Sequence, residues 1–451
     1  MVVMKFGGSS VRSGAWINRV LDIAETRLQE APLLVSSAMG KTTDALVSIA
    51  TDAASGNSES AFMTVEGLRR AHLENCREIL SGEFLDSAEG RVEMLFREMR
   101  SLVQGVSLIR ECSPRTYDAI LAFGELLSTT IIARRAEERG GEVILLDSRE
   151  LVVTDESFTA AAPDLELTEA RIRAAVEPAA GRLYIAQGFI GATRGGVTTT
   201  LGRGGSDFTA TIFGSALAAG RVEIWTDVNG IMSGDPRVVP EARSILRLSY
   251  DEASELAYFG AKVVHPYTIL PAVELSIPVQ VLNTADPDHP GTTITAESEA
   301  TGFQALAGKD GITVITVHSS RMLNAYGFLS RLFQVFEEHR VSVDLVATSE
   351  VSVSVTVDLK ELPSSLEERL SRFGRITVER DKSILCLVGR GLWKDSSFLA
   401  RVFRAIGEEI PVRLISLGSS DINLSLVIPA AKAKEAMVRL HGEFFPLDET
   451  G

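Results

Sequence analysis

Short apolar runs alternate with amphipathic stretches through the first two thirds of the chain. Val2-Val3-Met4-Lys5-Phe6 reads as a buried strand that ends at Gly7-Gly8-Ser9-Ser10. From Trp16 to Leu28, the residues Ile17, Val20, Leu21, Ala24 and Leu28 recur at helical spacing on one face. Pro32–Ser36 is strand-like again. Residues 59–81 and 89–110 read as long amphipathic helices, and Ala119–Glu138 as a helix stopped by Gly140-Gly141. Further strands are predicted at Glu142–Asp147, Leu183–Gly191 and Val222–Asp227. Continuous apolar strands interleaved with helices predict an α/β fold, a mainly parallel sheet covered by helices. Ligands in such sheets sit beyond the carboxyl ends of the strands.

The pattern changes between 283 and 311, where Asn283, Pro287, Pro290, Gly291, Gly308 and Gly311 mark connecting loops. Two units of similar pattern follow. The first runs strand Ile312–Val317, helix Phe328–Arg340, strands Val343–Thr348 and Val351–Val357, helix Ser365–Arg372 and strand Arg375–Glu379. The second runs strand Ser383–Val388, helix Ser397–Ile406, strands Arg413–Ser416 and Asn423–Ile428, and helix Ala430–Leu440. Each is close to a ferredoxin-like βαββαβ unit. Their phrases echo, Val343-Asp344-Leu345-Val346-Ala347 beside Val412-Arg413-Leu414-Ile415-Ser416. The expected division is 1–295, 296–382 and 383–451.

Composition narrows the function classes. The 451 residues carry a net charge of −15, which argues against general nucleic-acid or anionic-membrane binding. An anionic small substrate remains compatible, because a local basic cluster can dominate a cleft. Cys76, Cys112 and Cys386 are far apart and make neither a disulfide framework nor zinc-ligand spacing, as expected in a reducing cytoplasm. The first residues lack the apolar run of a signal peptide. No run of about 18 apolar residues predicts a membrane span.

Within this frame, Leu201-Gly202-Arg203-Gly204-Gly205-Ser206-Asp207 stands out. A glycine-rich turn opening a helix presents free N–H groups and the positive end of the helix dipole to an anion. Arg203 adds a bidentate clamp, and Asp207 a charge for metal or phosphoryl chemistry. Lys5, ahead of Gly7-Gly8-Ser9, suits a phosphate-bearing ligand. Gly40-Lys41-Thr42 resembles the tail of a Walker A loop, but Val35 stands where that motif needs glycine. Glu125 could grip an ammonium or simply favour a helix N-terminus. Thr226, Asp227, Asn229 and Gly230 close a strand, and Arg237 follows in a turn as a phosphate contact or a solvated side chain. Lys262 and His265 lie three apart, with His265 read as a cap or packed side chain. The sum of charge neutralisation and positioning groups points to phosphoryl transfer.

In their order along the chain, these phrases resemble the aspartate kinases, of the amino-acid kinase superfamily. The matching stretches are Lys5–Val11, Ser37–Thr43, Phe123–Ser128, Gln187–Gly191, Thr200–Asp207, Trp225–Val228, Asp235–Arg237 and Phe259–Val263. The paired C-terminal units look like ACT domains. The resemblance implies a monofunctional enzyme that uses ATP and Mg2+, the metal held mainly through the phosphates with no protein metal site, to phosphorylate the β-carboxylate of L-aspartate. This is the first step towards lysine, threonine and methionine. It implies catalytic roles for Lys5 and Asp207, with Asp207 orienting the lysine and the reacting groups. It implies substrate contacts from Thr43, Glu125, Arg203, Gly204, Gly205 and Ser206. Nucleotide contacts would come from Lys5, Phe6, Gly7, Gly8, Ser9, Thr226, Asp227, Met232, Arg237, Lys262 and Val263. Met232 stands where relatives often carry an aromatic residue, which weakens base stacking there and leaves the phosphate contacts unaffected.

The first ACT-like unit is similar to the lysine-inhibited class. That implies an allosteric site at Met322, Phe328, Leu329, Ser342, Val343, Asp344, Thr348, Ser349 and Glu350, with Ala325 replacing a common serine. It also implies a homodimer or dimer of dimers through the ACT units, and a cytoplasmic location. The alternatives are a kinase for another amino acid, and an amino-acid-sensing protein with an inactive kinase fold.

Overall fold

The computed structural model describes residues 1–260, 264–298, 302–323, 325–417 and 421–446. An eight-stranded sheet has the order Glu142–Leu145, Arg182–Gln187, Pro32–Ser36, Val2–Phe6, Arg221–Thr226, Val279–Asn283, Thr292–Thr295, Arg247–Ser249. Its neighbours run parallel except Val279–Asn283 against Thr292–Thr295. Val2–Phe6 therefore lies deep inside the sheet. Alternation along that strand turns Val2, Met4 and Phe6 to one face and Val3 and Lys5 to the other. The first face joins a large core with Ile17, Leu46, Leu73, Leu95 and Ile131. Those residues come from the helices Gly14–Glu25, Thr42–Ala54, Ser58–Ile79, Gly82–Ile109 and Phe123–Glu138. Phe6 stacks on Trp225 with ring centroids 5.8 Å apart, fixing two neighbouring strand ends together. Lys5 faces helix Gly205–Ala216 on the opposite side.

Two elements depart from the apolar pattern. The run expected as one strand over Leu183–Gly191 is two, Arg182–Gln187 and Ile190–Thr193. The break falls at Gly188-Phe189, where Phe189 takes φ 67° and its N–H bonds to the Thr209 hydroxyl at 3.0 Å. The second piece joins a small sheet with Val153–Thr154 and Thr198–Thr200. The helix expected over Ala119–Glu138 is Pro114–Leu121 followed by Phe123–Glu138. Ser113 caps the first piece, with proline at its first turn.

The described residues form two compact units. One holds 1–231, 246–250 and the described residues of 263–297. The other holds 232–245 and the described residues of 251–262 and 298–451. The second unit is built on one antiparallel sheet in the order Val343–Thr348, Ser352–Val357, Gly302–His318, Arg375–Arg390, Asn423–Pro429, Leu414–Leu417. Gly302–His318 and Arg375–Arg390 are long strands, each serving two ferredoxin-like halves. Thr313–His318 pairs with Ser352–Val357 in the first half. Gly302–Lys309 pairs with Ile384–Arg390 in the second. The second half thus takes its fourth strand from residues that precede the first half. The expected boundary between 382 and 383 falls inside a continuous strand. The physical reason is an edge: after 383 the chain supplies three strands, and the buried Ala305, Leu306 and Ala307 complete their sheet. Among the described residues, no helix is long and apolar enough to cross a membrane.

Candidate active site

Strand Val2–Phe6 delivers Lys5 to the sheet's carboxyl end, where its Nζ lies 2.6 Å from Asp207 Oδ1. Both side chains are only 12% exposed, so the pair is shielded from solvent screening. Asp207 stands in the first turn of helix Gly205–Ala216. The turn that feeds this helix has φ of 75° at Gly202 and 72° at Gly204, a region that an L side chain adopts only under strain. Beside it, a Cβ on Gly188 would fall 2.7 Å from Ser206 Oγ. Bare backbone at 188 is therefore what admits Ser206. Its hydroxyl accepts a 2.9 Å bond from Ser37 Oγ.

Glu125 occupies the first turn of helix Phe123–Glu138 and is buried. Gly124 lets this helix approach the loop after Pro32–Ser36, since a Cβ there would meet Ala38 Cβ at 2.7 Å. Glu125 Oε1 accepts the Ala38 N–H at 3.1 Å. Its Oε2 is buried and has no partner among the described residues. Burial pushes the Glu125 carboxyl up to about 8, with backbone hydrogen bonds from Ala38 and from its own N–H opposing the shift. An ammonium placed against Oε2 would remove the cost of ionising it.

These groups share a cleft of about 270 Å³, lined by Lys5, Ser37, Thr43, Glu125, Phe189, Gly202, Gly204, Gly205, Ser206 and Asp207. One fixed cation, two carboxylates and three hydroxyls suit a small zwitterion carrying an extra anionic group. Ser37, Phe189 and Gly202 were not among the predicted site residues. Ser37 opens the Ser37–Thr43 phrase and Gly202 opens the glycine loop, so both had a signal. Phe189 lies within the Gln187–Gly191 phrase and had a signal as well. Arg203 is exposed, unpaired among the described residues, and not part of the cleft wall.

The expected phosphate side is more dispersed. Phe6 is wholly buried in the core, which leaves only its backbone for a ligand. The Gly7 N–H bonds to Trp225 O at 3.3 Å. A Cβ on Gly8 would fall 2.9 Å from the carbonyls of Ala38 and Gly40, so only glycine fits there. Ser9 O accepts from Arg12 at 2.9 Å. Thr226 ends its strand half-buried, and its hydroxyl donates to the exposed Asp227 at 3.1 Å. Met232 and Arg237 belong to the second unit. There Ser244 Oγ bonds to Met232 Sδ at 3.5 Å, and Arg237 closes on Asp235 at 2.8 and 3.0 Å. Lys262 and Val263 lie outside the described residues. His265 stands at the cap of helix Pro266–Glu274 without a side-chain cap bond. No three His, Cys, Asp or Glu side chains converge as a metal site among the described residues.

The predicted regulatory residues all lie in the first ferredoxin-like half. Asp344 accepts from Lys309 Nζ at 3.0 Å and from the Tyr258 hydroxyl. Ser342, Thr348, Ser349 and Glu350 are exposed, and Ser349 Oγ pairs with Ser352 Oγ at 2.8 Å. Met322 is half-buried. Phe328 is core, edge-on to Phe373 at 5.7 Å, while Leu329 beside it is 38% exposed. Val343 is half-buried at the start of its strand.

Residues 1–283 match the amino acid kinase family, and residues 315–368 and 385–444 match the ACT domain. The lysine-sensitive aspartokinase 3 of Escherichia coli is 36% identical over 99% of both chains. The crystal structure of E. coli aspartokinase III with aspartate and ADP (R-state) superposes with a TM-score of 0.84 at 35% identity. It covers 99% of this chain and all of that one. The same enzyme with lysine and aspartate (T-state) gives 0.80 at 35% identity over 99% of both.

Proposed function

Because the chain belongs to the aspartokinases of the amino acid kinase family, we propose that it transfers the γ-phosphoryl group of ATP to the β-carboxylate of L-aspartate. The products are 4-phospho-L-aspartate and ADP, and the step opens lysine, threonine and methionine synthesis. The observation that carries this reading is the cleft that the Lys5–Asp207 pair shares with Glu125, one of whose buried oxygens has no partner among the described residues.

A β-carboxylate oxygen attacks the γ-phosphorus, and the bond to the β,γ-bridging oxygen breaks with its electron pair leaving on ADP. The substrate carboxylate is already ionised, so no base is required. Lys5 supplies positive charge to the oxygens of the phosphoryl group in flight. Asp207 holds that ammonium in place, acting through Lys5 and the reacting groups. Glu125 takes the α-ammonium. Thr43, Ser206 and the backbone of Gly204 and Gly205 position the substrate, and Arg203 supplies a charge from the rim for its α-carboxylate. The backbone of Phe6, Gly7, Gly8 and Ser9 lines the phosphates, and Thr226, Asp227, Met232, Arg237, Lys262 and Val263 serve the nucleotide. Mg2+ would be carried mainly on the phosphates, where it would neutralise charge on the nucleotide.

L-Lysine is read as the feedback inhibitor, acting through residues 322–351. The exposed Val346 and Ile415 on the two edge strands of the second sheet favour a homodimer or dimer of dimers through the ACT units. A cytoplasmic location accompanies this reading. An ADP-release assay with L-aspartate, L-glutamate, N-acetylglutamate and UMP tests the activity. L-Aspartate is expected to dominate; preference for any other acceptor contradicts the proposal.

A further inference from the structure

The proposed regulatory carboxylate already holds a cation. Asp344 is only 2% exposed in its side chain, and Lys309 Nζ sits 3.0 Å from its Oδ1. The Tyr258 hydroxyl bonds to the same oxygen, and the Lys309 ammonium lies 5.0 Å from the Tyr258 ring. Asp344 Oδ2 is buried and without a partner among the described residues. Lys309 has one further anion within reach, the 62% exposed Asp358 at 3.5 Å, which offers it a solvated alternative.

The other ferredoxin-like half inverts this arrangement. Arg413 occupies the position in its strand phrase that Asp344 occupies in the first, and it pairs with Glu379. Lys309 and Glu379 each come from a long strand that both halves share. The cation facing the edge-strand phrase is thus on the shared strand in one half, whereas in the other the phrase itself brings the cation, beside Lys382 at 3.1 Å from the same Glu379. At this position of the strand phrase the first half offers a carboxylate, Asp344, and the second a cation, Arg413.

Resting on the regulatory reading above, we propose that Lys309 is a tethered competitor of the inhibitor, its ammonium occupying Asp344 until free L-lysine displaces it towards Asp358. Inhibitor affinity is then the difference between two ammonium groups bidding for one carboxylate, and it is set low by a residue outside the predicted regulatory set. A state in which the site is self-occupied reduces apparent affinity in proportion to its population.

Calorimetric titration of the full-length protein with L-lysine tests this. Lys309→Met is expected to bind L-lysine about tenfold more tightly than wild type, and Lys309→Arg, which keeps the cation, within about twofold of it. If Lys309→Met does not fold, Lys309→Gln removes the charge while keeping a donor and carries the same expectation. Unchanged or weaker binding by the neutral variants overturns the competitor role while leaving L-lysine regulation standing. Absence of L-lysine binding to wild type overturns the regulatory reading, and this inference with it.

Discussion

At the scale of single residues, the site depends on two carboxylates in opposite electrostatic situations. Asp207 has its cation at 2.6 Å, whereas Glu125 is buried with only backbone donors and an oxygen that has no partner among the described residues. Lys5→Met removes the charge that would meet the phosphoryl group, and kcat is expected to fall about 10³-fold. Asp207→Asn keeps a hydrogen-bond acceptor for Lys5 and is expected to cost less, roughly tenfold. Steady-state kinetics alongside thermal unfolding separates these losses from misfolding. Glu125 gives a pH signature. With its carboxyl pushed up to about 8 from an ordinary 4.5, the free site is protonated at neutral pH. Gripping an ammonium requires the ionised form, so KM for L-aspartate should rise as pH drops below about 8, approaching tenfold per unit. Glu125→Gln should raise KM and flatten that slope. The linked stability has the same origin. A raised carboxyl contributes to the fold below about 4.5, and that contribution is lost as pH rises from there through about 8.

At the scale of elements, function rests on close backbone approaches. Gly188 has no positive φ among the described glycines, so its requirement is space alone. Gly188→Ala is expected to push Ser206 away, lower stability by about 1–3 kcal/mol and raise KM for L-aspartate. Ser206→Gly in the same background should restore part of the stability, a coupling that a double-mutant cycle measures. The glycine loop, the Lys5 strand and the Glu125 helix were all legible in the sequence, because turn chemistry and apolar runs act locally. The Lys5–Asp207 pairing is implied only by the family resemblance and the Ser37–Ser206 bond by nothing local, since they join residues 202 and 169 positions apart. The strand over Leu183–Gly191 misled because its apolar run continues through the break. The Phe189 N–H bond to Thr209 that accompanies the turn is a tertiary contact. Tyr258 and Lys309 carried no local signal for the Asp344 site; each looks like an ordinary surface residue until the sheet is assembled.

At the scale of the whole chain, the repeat was visible and its nesting was not. Similar phrases announce two ferredoxin-like halves, but no local pattern says that Gly302–Lys309 serves the later half. This placement predicts a truncation effect. A fragment of residues 312–451 should lose the fourth strand of that half, expose the apolar edge at Leu385 and Leu387, and aggregate or unfold. A fragment of residues 298–451 should retain more cooperative structure by circular dichroism and thermal melting; equal behaviour would contradict the nested assignment. The acidic charge of −15 is compatible with an anionic substrate because Lys5 lies in the recess rather than on the surface.

The Lys5–Asp207–Glu125 cleft is proposed to make an acyl phosphate on L-aspartate. Hydroxylamine traps acyl phosphates as hydroxamates, so colorimetric detection of the aspartyl hydroxamate reads the product directly. ATP-dependent hydroxamate is expected from L-aspartate with the wild-type chain, and about 10³-fold less with Lys5→Met. Equal or greater product from L-glutamate, or undiminished product without Lys5, would contradict that role.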